Sequence, residues 1–157
     1  NIYKIIPDIT LSQDIIAGFP TETEEDHQDT LSLLEYVRYD FGFMFSYSER
    51  PGTLAARKME DDVPEEVKKR RLQEIIEVQQ RIALERTQRF VGQTVEVLVE
   101  KDSKRSHKQW SGRNSQSTVV VFPKENYKPG DFVLVKISDC TSGTLIGEAV
   151  GYSEIMN

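Results

Sequence analysis

The sequence predicts an α/β segment followed by a small all-β antiparallel barrel. Two short apolar runs near the start of the chain each enter a turn rich in Gly and Pro, and a helix-length segment separates them. After Val91 the hydrophobic pattern changes to short runs in which apolar and polar residues alternate. A long amphipathic helix is expected between the two parts.

The first strand is predicted within Leu11–Phe19. Its apolar centre, Ile15-Ile16-Ala17, is bounded by Gly18 and Pro20 and is too short for a helix. A continuous apolar run of this kind is typical of a buried parallel strand.

A helix is predicted next, over residues 24–38. Thr23 and Asp26 have the spacing of a capping box, and acidic residues in the first turn favour a helix start. Four residues fall on one helical face: His27, Leu31, Leu34 and Val37.

The second strand is predicted over Phe41–Tyr47, where large apolar residues alternate with small or polar ones. Strand, helix and strand in this order make a βαβ unit with parallel strands. A single unit leaves exposed the faces and edges that neighbouring strands and helices would cover.

Residues 50–62 are predicted to be a loop, and a long helix is expected to follow it. Asp62 is the predicted N-cap, Pro64 lies in the first turn, and the helix should extend to about Phe90. Its apolar stripe comprises Val67, Leu72, Ile75, Val78 and Ile82. The basic run at residues 68–71 is interpreted as a solvated face paired with nearby glutamates.

Four alternating runs predict the strands of the barrel, which has the size and spacing of OB-like folds. They are residues 94–100, 118–122, 132–138 and 145–150. The segment between the first two runs, residues 101–113, is the one strongly basic stretch of this region.

Composition sets further limits. The net charge is -6, and the acidic excess is concentrated in residues 1–62. Cys140 is the only cysteine, so the chain cannot supply the three or four thiolates of an iron–sulfur cluster or a zinc site. No segment approaches the roughly 20 apolar residues that cross a bilayer, and no secretory leader is evident, so we expect a cytoplasmic protein with no membrane partner.

Four phrases in register, at residues 14–26, 47–53, 61–68 and 91–100, resemble the radical S-adenosylmethionine (SAM) methylthiotransferases, and most of all the tRNA-modifying enzymes of the MiaB type. The resemblance implies that residues 1–88 are the C-terminal portion of a radical SAM partial TIM barrel with its connecting helix. It also implies that residues 89–153 are a TRAM domain, an RNA-binding β-barrel. A chain of 157 residues is too short for a complete barrel enzyme, so a fragment that lacks its N-terminal portion is expected.

The resemblance implies S-adenosylmethionine and two 4Fe-4S clusters as cofactors of the intact enzyme. The cluster cysteines are absent here, so this chain alone is expected to be inactive. The implied SAM-contacting residues are Ile16, Gly18, Tyr47, Ser48 and Arg50. For Arg50 two hypotheses stay open: a clamp on a carboxylate or phosphate, or a salt bridge to Glu22 or Glu49.

In the basic stretch, cations interleaved with an indole are typical of an RNA surface. The candidate RNA-binding residues are Lys101, Lys104, Arg105, Lys108, Trp110 and Arg113. The alternative interpretation is a solvated hairpin with Trp110 tucked into the barrel. His27 and His107, the only histidines, are assigned no catalytic role.

The function that the resemblance implies is the addition of a methylthio group to isopentenyladenosine next to the tRNA anticodon, with the tRNA anticodon stem-loop as partner. Two alternatives remain open: a related enzyme that methylthiolates an aspartate of a ribosomal protein, and a non-catalytic RNA-binding module.

Overall fold

The computed structural model describes residues 2–153, which form two compact units. One unit comprises residues 11–83, and the other comprises the described residues up to Thr10 together with those from Leu84 onward. The boundary predicted from the sequence lies near residue 88, with residues 1–10 in the first domain. In the structure, residues 2–10 group with the barrel, where the Arg86 guanidinium lies 4.5 Å from the centroid of the Tyr3 ring.

The unit of residues 11–83 contains a βαβ motif. Strand β1 (Ser12–Ala17) and strand β2 (Phe41–Ser46) pair in parallel, and helix α2 (Glu24–Val37) connects them. The predicted order and the parallel pairing are confirmed. A four-residue helix, α1 (Ile2–Ile5), belongs to the other unit.

Helix α2 begins as the sequence predicts. The Thr23 hydroxyl accepts a hydrogen bond from the Asp26 amide at 3.1 Å, and the Asp26 carboxylate accepts one from the Thr23 amide at 2.8 Å. The helix ends at Val37 and is followed by the C-cap residue Arg38, whose φ of 58° is left-handed. The predicted capping box is therefore confirmed, and the predicted end is correct to within one residue.

The two faces of the β1–β2 sheet differ. One face packs on the helices, where Ala17, Leu34, Ile75 and Ile82 form a buried cluster. The other face presents Ile16, Phe41, Phe43 and Phe45, and Phe43 is 60% exposed. The prediction of a buried strand is wrong for this second face, because no described element of the unit covers it.

The loop and the long helix also differ from the prediction. Helix α3 (Leu54–Lys58) lies inside the segment predicted as a loop, and the Thr53 hydroxyl caps it. Helix α4 (Glu65–Gln88) begins three residues after Asp62. Asp62 is not its cap, since its carboxylate accepts a hydrogen bond from the Thr21 amide at 2.7 Å. None of the described helices is long and apolar enough to span a membrane.

Five strands form a closed barrel in the order β3-β4-β5-β7-β6. They are β3 (Thr94–Ser103), β4 (Ser106–Asn114), β5 (Val119–Pro123), β6 (Phe132–Cys140) and β7 (Thr144–Tyr152). Strand β4 is additional to the four predicted runs. The pairs are antiparallel except β5–β7, which is parallel, so the expectation of a wholly antiparallel barrel is corrected at that pair.

The barrel interior is apolar and tightly closed. Its fully buried residues include Val97, Val120, Phe122, Val133 and Leu145, each with no exposed surface. They alternate along their strands with outward-facing residues, as expected for a small barrel. The outer face is therefore free to carry a binding surface.

Candidate functional site

A cleft of about 530 Å³ lies on the outside of the barrel. Strand pairing brings its residues into two adjacent rows. One row runs across four strands through Lys101, Ser111, Val121 and Ile146. The next row runs through Arg113, Val119 and Thr144.

Four cationic side chains line the cleft: Lys101, Lys104, Arg105 and Arg113. The only carboxylate among the described lining residues is Glu100, and its Oε1 lies 3.6 Å from Arg113 Nε. Arg113 Nη1 also donates to the Ser117 carbonyl at 3.2 Å, which orients the guanidinium. A cleft with a positive excess on a chain of net charge -6 is a local attraction for polyanions.

Trp110 lies away from the cleft. It pairs with Phe122, packs against the barrel core, and carries the Lys124 ammonium 4.1 Å from its ring centroid. Lys124 Nζ is 2.6 Å from the Asp102 carboxylate; hydrogen bonds from Lys124 and then His107 lower the pKa of Asp102. The structure thus separates Trp110 from the cationic residues with which the sequence analysis grouped it.

Lys108 is exposed but does not line the cleft. The structure therefore brings together four of the six predicted RNA-binding side chains, and leaves Lys108 and Trp110 outside. Several further lining residues were not predicted, because the predicted site was built only from the cations and the indole of the basic stretch. Those residues are Gln109, Ser111, Val119, Val121, Thr144 and Ile146. The alternation of β4, with odd-numbered residues facing outward, is the signal that could have found the first two.

A second cavity, of about 310 Å³, lies at the carboxyl ends of β1 and β2. Four of the five predicted SAM-contacting residues line it: Ile16, Tyr47, Ser48 and Arg50. The other lining residues are Phe19, Phe45, Ser46, Thr53 and Ala55. The cavity thus combines apolar walls with hydroxyl groups and one guanidinium.

Gly18, the fifth predicted residue, does not line this cavity. Its φ is +73°, and a Cβ built on it would lie 2.3 Å from Lys68 Cγ. The Lys68 side chain is 1% exposed; its ammonium donates to Asp61 at 2.6 Å and to Glu65 at 2.9 Å, and lies 5.4 Å from the Tyr47 ring centroid. Burial lowers the pKa of Lys68, but the hydrogen bonds to Asp61 and then Glu65 outweigh it, and the net pKa is raised. The glycine is needed here for its contact with Lys68.

The predicted solvated face at residues 68–71 is wrong for two of its members, since Lys68 and Arg71 are buried. Arg71 Nη1 donates to the Glu22 carbonyl at 3.0 Å and to the Glu22 carboxylate at 2.7 Å. The other Glu22 oxygen accepts from the Gly18 amide at 3.1 Å. Helix α4 thereby fixes the loop that follows β1.

Arg50 lines the second cavity, and its guanidinium forms no salt bridge among the described residues. Glu22, one of its two predicted salt-bridge partners, is occupied by Arg71. Among the described residues Arg50 forms no ion pair with Glu22 or Glu49, so its guanidinium faces the cavity without a protein carboxylate.

The described residues do not fit an iron–sulfur cluster. Residues 2–153 contain no group of three or more His, Cys, Asp or Glu side chains that could hold a metal. Burial, and then Asp139, raise the pKa of the Cys140 thiol, which disfavours the thiolate. His27 is buried, and its Nε2 lies 2.6 Å from a Glu74 carboxylate oxygen, which is a structural contact within the helix pair.

The barrel and its cleft define a class of protein. A five-stranded barrel that binds on the face of its second and third strands, bordered by the loops between strands one and two and between four and five, is the nucleic-acid-binding arrangement of OB-like folds. Here the cleft lies on β4 and β5, with Lys104 and Arg105 in the first of these loops and Thr141 in the second. Residues 88–150 match the family model of the TRAM domain.

Three relatives extend the match over the whole chain. The tRNA-2-methylthio-N(6)-dimethylallyladenosine synthase of Flavobacterium psychrophilum is 70% identical over 99% of this chain. The proteins of the same name in Christiangramia forsetii and Chlorobaculum tepidum are 67% and 56% identical over 98% and 95% of it. The chain covers 32%, 32% and 34% of these three relatives, about a third of their length. Over nearly its whole length the chain is therefore similar to part of these tRNA-modifying enzymes, and the resemblance drawn from the sequence is confirmed.

Proposed function

We propose that this chain is part of an enzyme that adds a methylthio group to isopentenyladenosine next to the tRNA anticodon. In this proposal the barrel binds the anticodon stem-loop, and the βαβ unit supplies part of a SAM pocket. The observation that carries the proposal is the 70% identity, over 99% of the chain, with a relative named for this reaction. The two cavities provide the matching chemistry.

The cleft on the barrel supports RNA binding by its charge. Its four cations border an apolar floor of Val119, Val121 and Ile146. Lys and Arg side chains gain affinity for a nucleic acid by releasing counterions from its phosphates, so binding to this cleft should weaken steeply with salt.

The second cavity fits part of a SAM molecule. Ile16 and Phe45 offer apolar contact to an adenine ring, and the Arg50 guanidinium can pair with a carboxylate. When bound, SAM supplies the methyl group and, after reductive cleavage, a hydrogen-abstracting radical. The part of this chain is to bind and orient: Arg50 holds the carboxylate while Phe19 and Tyr47, whose rings meet edge to face at 5.1 Å, form a rigid wall.

The iron–sulfur clusters of the proposed enzyme would be held elsewhere in the longer protein. A sequence with one cysteine provides no cluster ligands beyond a single thiol. We therefore assign this chain binding and positioning, and no step at a cluster.

A related enzyme that modifies an aspartate of a ribosomal protein is the alternative with the same architecture. The cationic cleft favours a polyanionic substrate over a protein. The names of the relatives also specify a tRNA reaction.

The proposal is tested at two levels. First, fluorescence anisotropy measures binding of the complete 157-residue chain to a labelled anticodon stem-loop over a range of salt concentrations. Second, the intact native gene is expressed in bacteria that lack their own tRNA methylthiotransferase, and the tRNA nucleosides are analysed by mass spectrometry. We expect salt-dependent binding and restored 2-methylthio nucleoside. Binding without restoration of the modified nucleoside would support the non-catalytic RNA-binding module. If the chain does not bind the stem-loop and the gene does not restore the nucleoside, the proposal is rejected.

A further inference from the structure

We propose that the cleft distinguishes RNA from DNA through three side chains, Gln109, Ser111 and Thr144, that contact ribose 2′-hydroxyl groups. The inference rests on the proposed RNA-binding function of the cleft and specifies what the cleft recognises. It assigns a sugar-reading role to residues that carry no charge.

These three polar side chains line the cleft and are uncommitted. None of them forms a side-chain hydrogen bond with another described residue. Two other hydroxyls of the cleft are engaged: Ser103 Oγ accepts from the Arg105 amide, and Thr141 Oγ1 from the Gly143 amide, both at 3.4 Å. The side chains of Gln109, Ser111 and Thr144 can therefore form hydrogen bonds with a ligand.

Their positions alternate with the cations. Ser111 pairs with Lys101 across the β3–β4 ladder, and Thr144 shares its row with Arg113. Gln109 and Ser111 are two residues apart on the same face of β4, a separation of roughly 7 Å. A strand whose phosphates meet Lys101 and Arg113 would place the intervening sugars over the polar side chains.

The chemistry of the cleft favours sugar contacts over base contacts. No aromatic side chain is among the described residues that line it, so stacking platforms for bases are missing from this surface. The floor is made of Val119, Val121 and Ile146, which can contact a ribose face. A 2′-hydroxyl is both donor and acceptor, and so are a serine or threonine hydroxyl and a glutamine amide.

DNA would meet the same cations but leave the three polar groups without partners. A site built to bond a hydroxyl discriminates against an analogue that lacks it, because its own polar groups are then left unpaired on desolvation. The preference for RNA should therefore reside in uncharged residues, and the salt dependence in the charged ones.

The test compares two probes on the complete chain: a stem-loop of RNA and the same sequence as DNA, both measured by anisotropy at one salt concentration. We expect the wild type to bind the RNA more tightly. Ser111→Ala and Thr144→Val should each reduce the RNA-to-DNA affinity ratio about fivefold, since a neutral hydrogen bond contributes about 1 kcal/mol. Their DNA affinity and the salt slope should stay at wild-type values.

Thr94→Val is the matched control, because Thr94 is an exposed strand threonine outside the cleft. Its ratio should equal that of the wild type. A wild type that binds RNA and DNA equally, or cleft variants that keep the wild-type ratio, would overturn the inference and leave the proposed RNA binding intact. Absence of salt-dependent binding to either probe would instead reject the proposed function of the cleft.

Discussion

The aliphatic stem of Lys68 lies against the backbone of Gly18, where a methyl group on the glycine would come within 2.3 Å of Lys68 Cγ. The lysine cannot swing aside freely, because its ammonium is hydrogen-bonded to Asp61 and Glu65. Helix α4 thus holds the loop after β1 through this contact and through the Arg71 hydrogen bonds to Glu22. Phe19 and Tyr47, which line the second cavity, lie beside that contact.

Replacement of this glycine tests the contact. Gly18→Ala should destabilise residues 11–83 for two reasons: φ of +73° disfavours any side chain, and the new methyl overlaps Lys68. Gly52→Ala is the control, because Gly52 has φ of +86° and nothing within 4 Å of the added carbon. In urea denaturation, Gly18→Ala should lower the free energy of unfolding by about 1–3 kcal/mol more than the control, as is usual for overpacking. Equal effects would show that backbone conformation alone matters.

Acid stability should depend on Glu24. A hydrogen bond from Arg70, at 2.6 Å, is the main cause that lowers the pKa of Glu24 from 4.5 to about 2. Because the folded pKa is the lower one, its stabilisation is complete above pH 4.5 and disappears as the pH falls towards 2. Glu24→Gln should remove this part of the pH dependence of the melting temperature.

Glu66→Gln is the matched control for that experiment, since Glu66 is an exposed carboxylate of α4 that pairs with no cation among the described residues. It should leave the fall of the melting temperature at acid pH unchanged. If Glu24→Gln also leaves that fall unchanged, solvent screens the ion pair of Glu24 with Arg70 completely.

Local signals in the sequence identified most elements. The Thr23–Asp26 capping box predicted the start of α2, and period-two alternation predicted most strands, because both depend on neighbouring residues only. Strand β4 was not predicted, because its inward positions include Gly112 and Asn114 and its sequence therefore lacks apolar alternation. Its glycine is required by packing, since a Cβ on Gly112 would lie 2.2 Å from the Leu98 carbonyl oxygen.

Site residues were harder to predict than elements. The arginine in a turn after β2 was identifiable from the motif, and the structure places it in the second cavity. The burial of Lys68 was not identifiable, because a run of four cations on a helix ordinarily faces solvent. Lys68 is buried because its stem packs against Gly18 and its ammonium pairs with Asp61 and Glu65. The contact with Gly18 joins residues that are distant in sequence, so local sequence does not reveal it.

Arg50 provides a test of the second cavity. In the intact enzyme, Arg50→Lys should raise the KM for SAM about tenfold if the guanidinium binds its carboxylate in bidentate fashion, because an ammonium cannot reproduce that geometry. Arg57→Lys is the control, since Arg57 donates to the Gly52 and Thr53 carbonyls and does not line the cavity. Unchanged affinities for SAM and tRNA with unchanged turnover would discard the clamp.

The position of Trp110 predicts a spectroscopic result. It is the only tryptophan, it packs against the barrel core, and the Lys124 ammonium covers its ring. Saturation with the RNA stem-loop should therefore change its fluorescence little, and Trp110→Phe should retain wild-type RNA affinity. Strong quenching, together with weaker binding by the phenylalanine variant, would restore the stacking role that the sequence suggested.

The charged residues of the cleft predict the salt dependence of binding. Lys104 and Arg105 line the cleft at the turn between β3 and β4, whereas Lys108 lies outside it. The double variant Lys104→Gln/Arg105→Gln should weaken RNA binding and flatten the plot of log affinity against log salt by about 1.4, because each phosphate that a cation neutralises on a single strand adds roughly 0.7 to the slope. Lys108→Gln, which removes a nearby charge without altering the cleft, should leave the slope nearly unaltered. The Lys108 variant could instead flatten the plot as much per charge as the double variant. In that case the whole basic hairpin would attract the RNA, and the cleft would be rejected as the RNA-binding site.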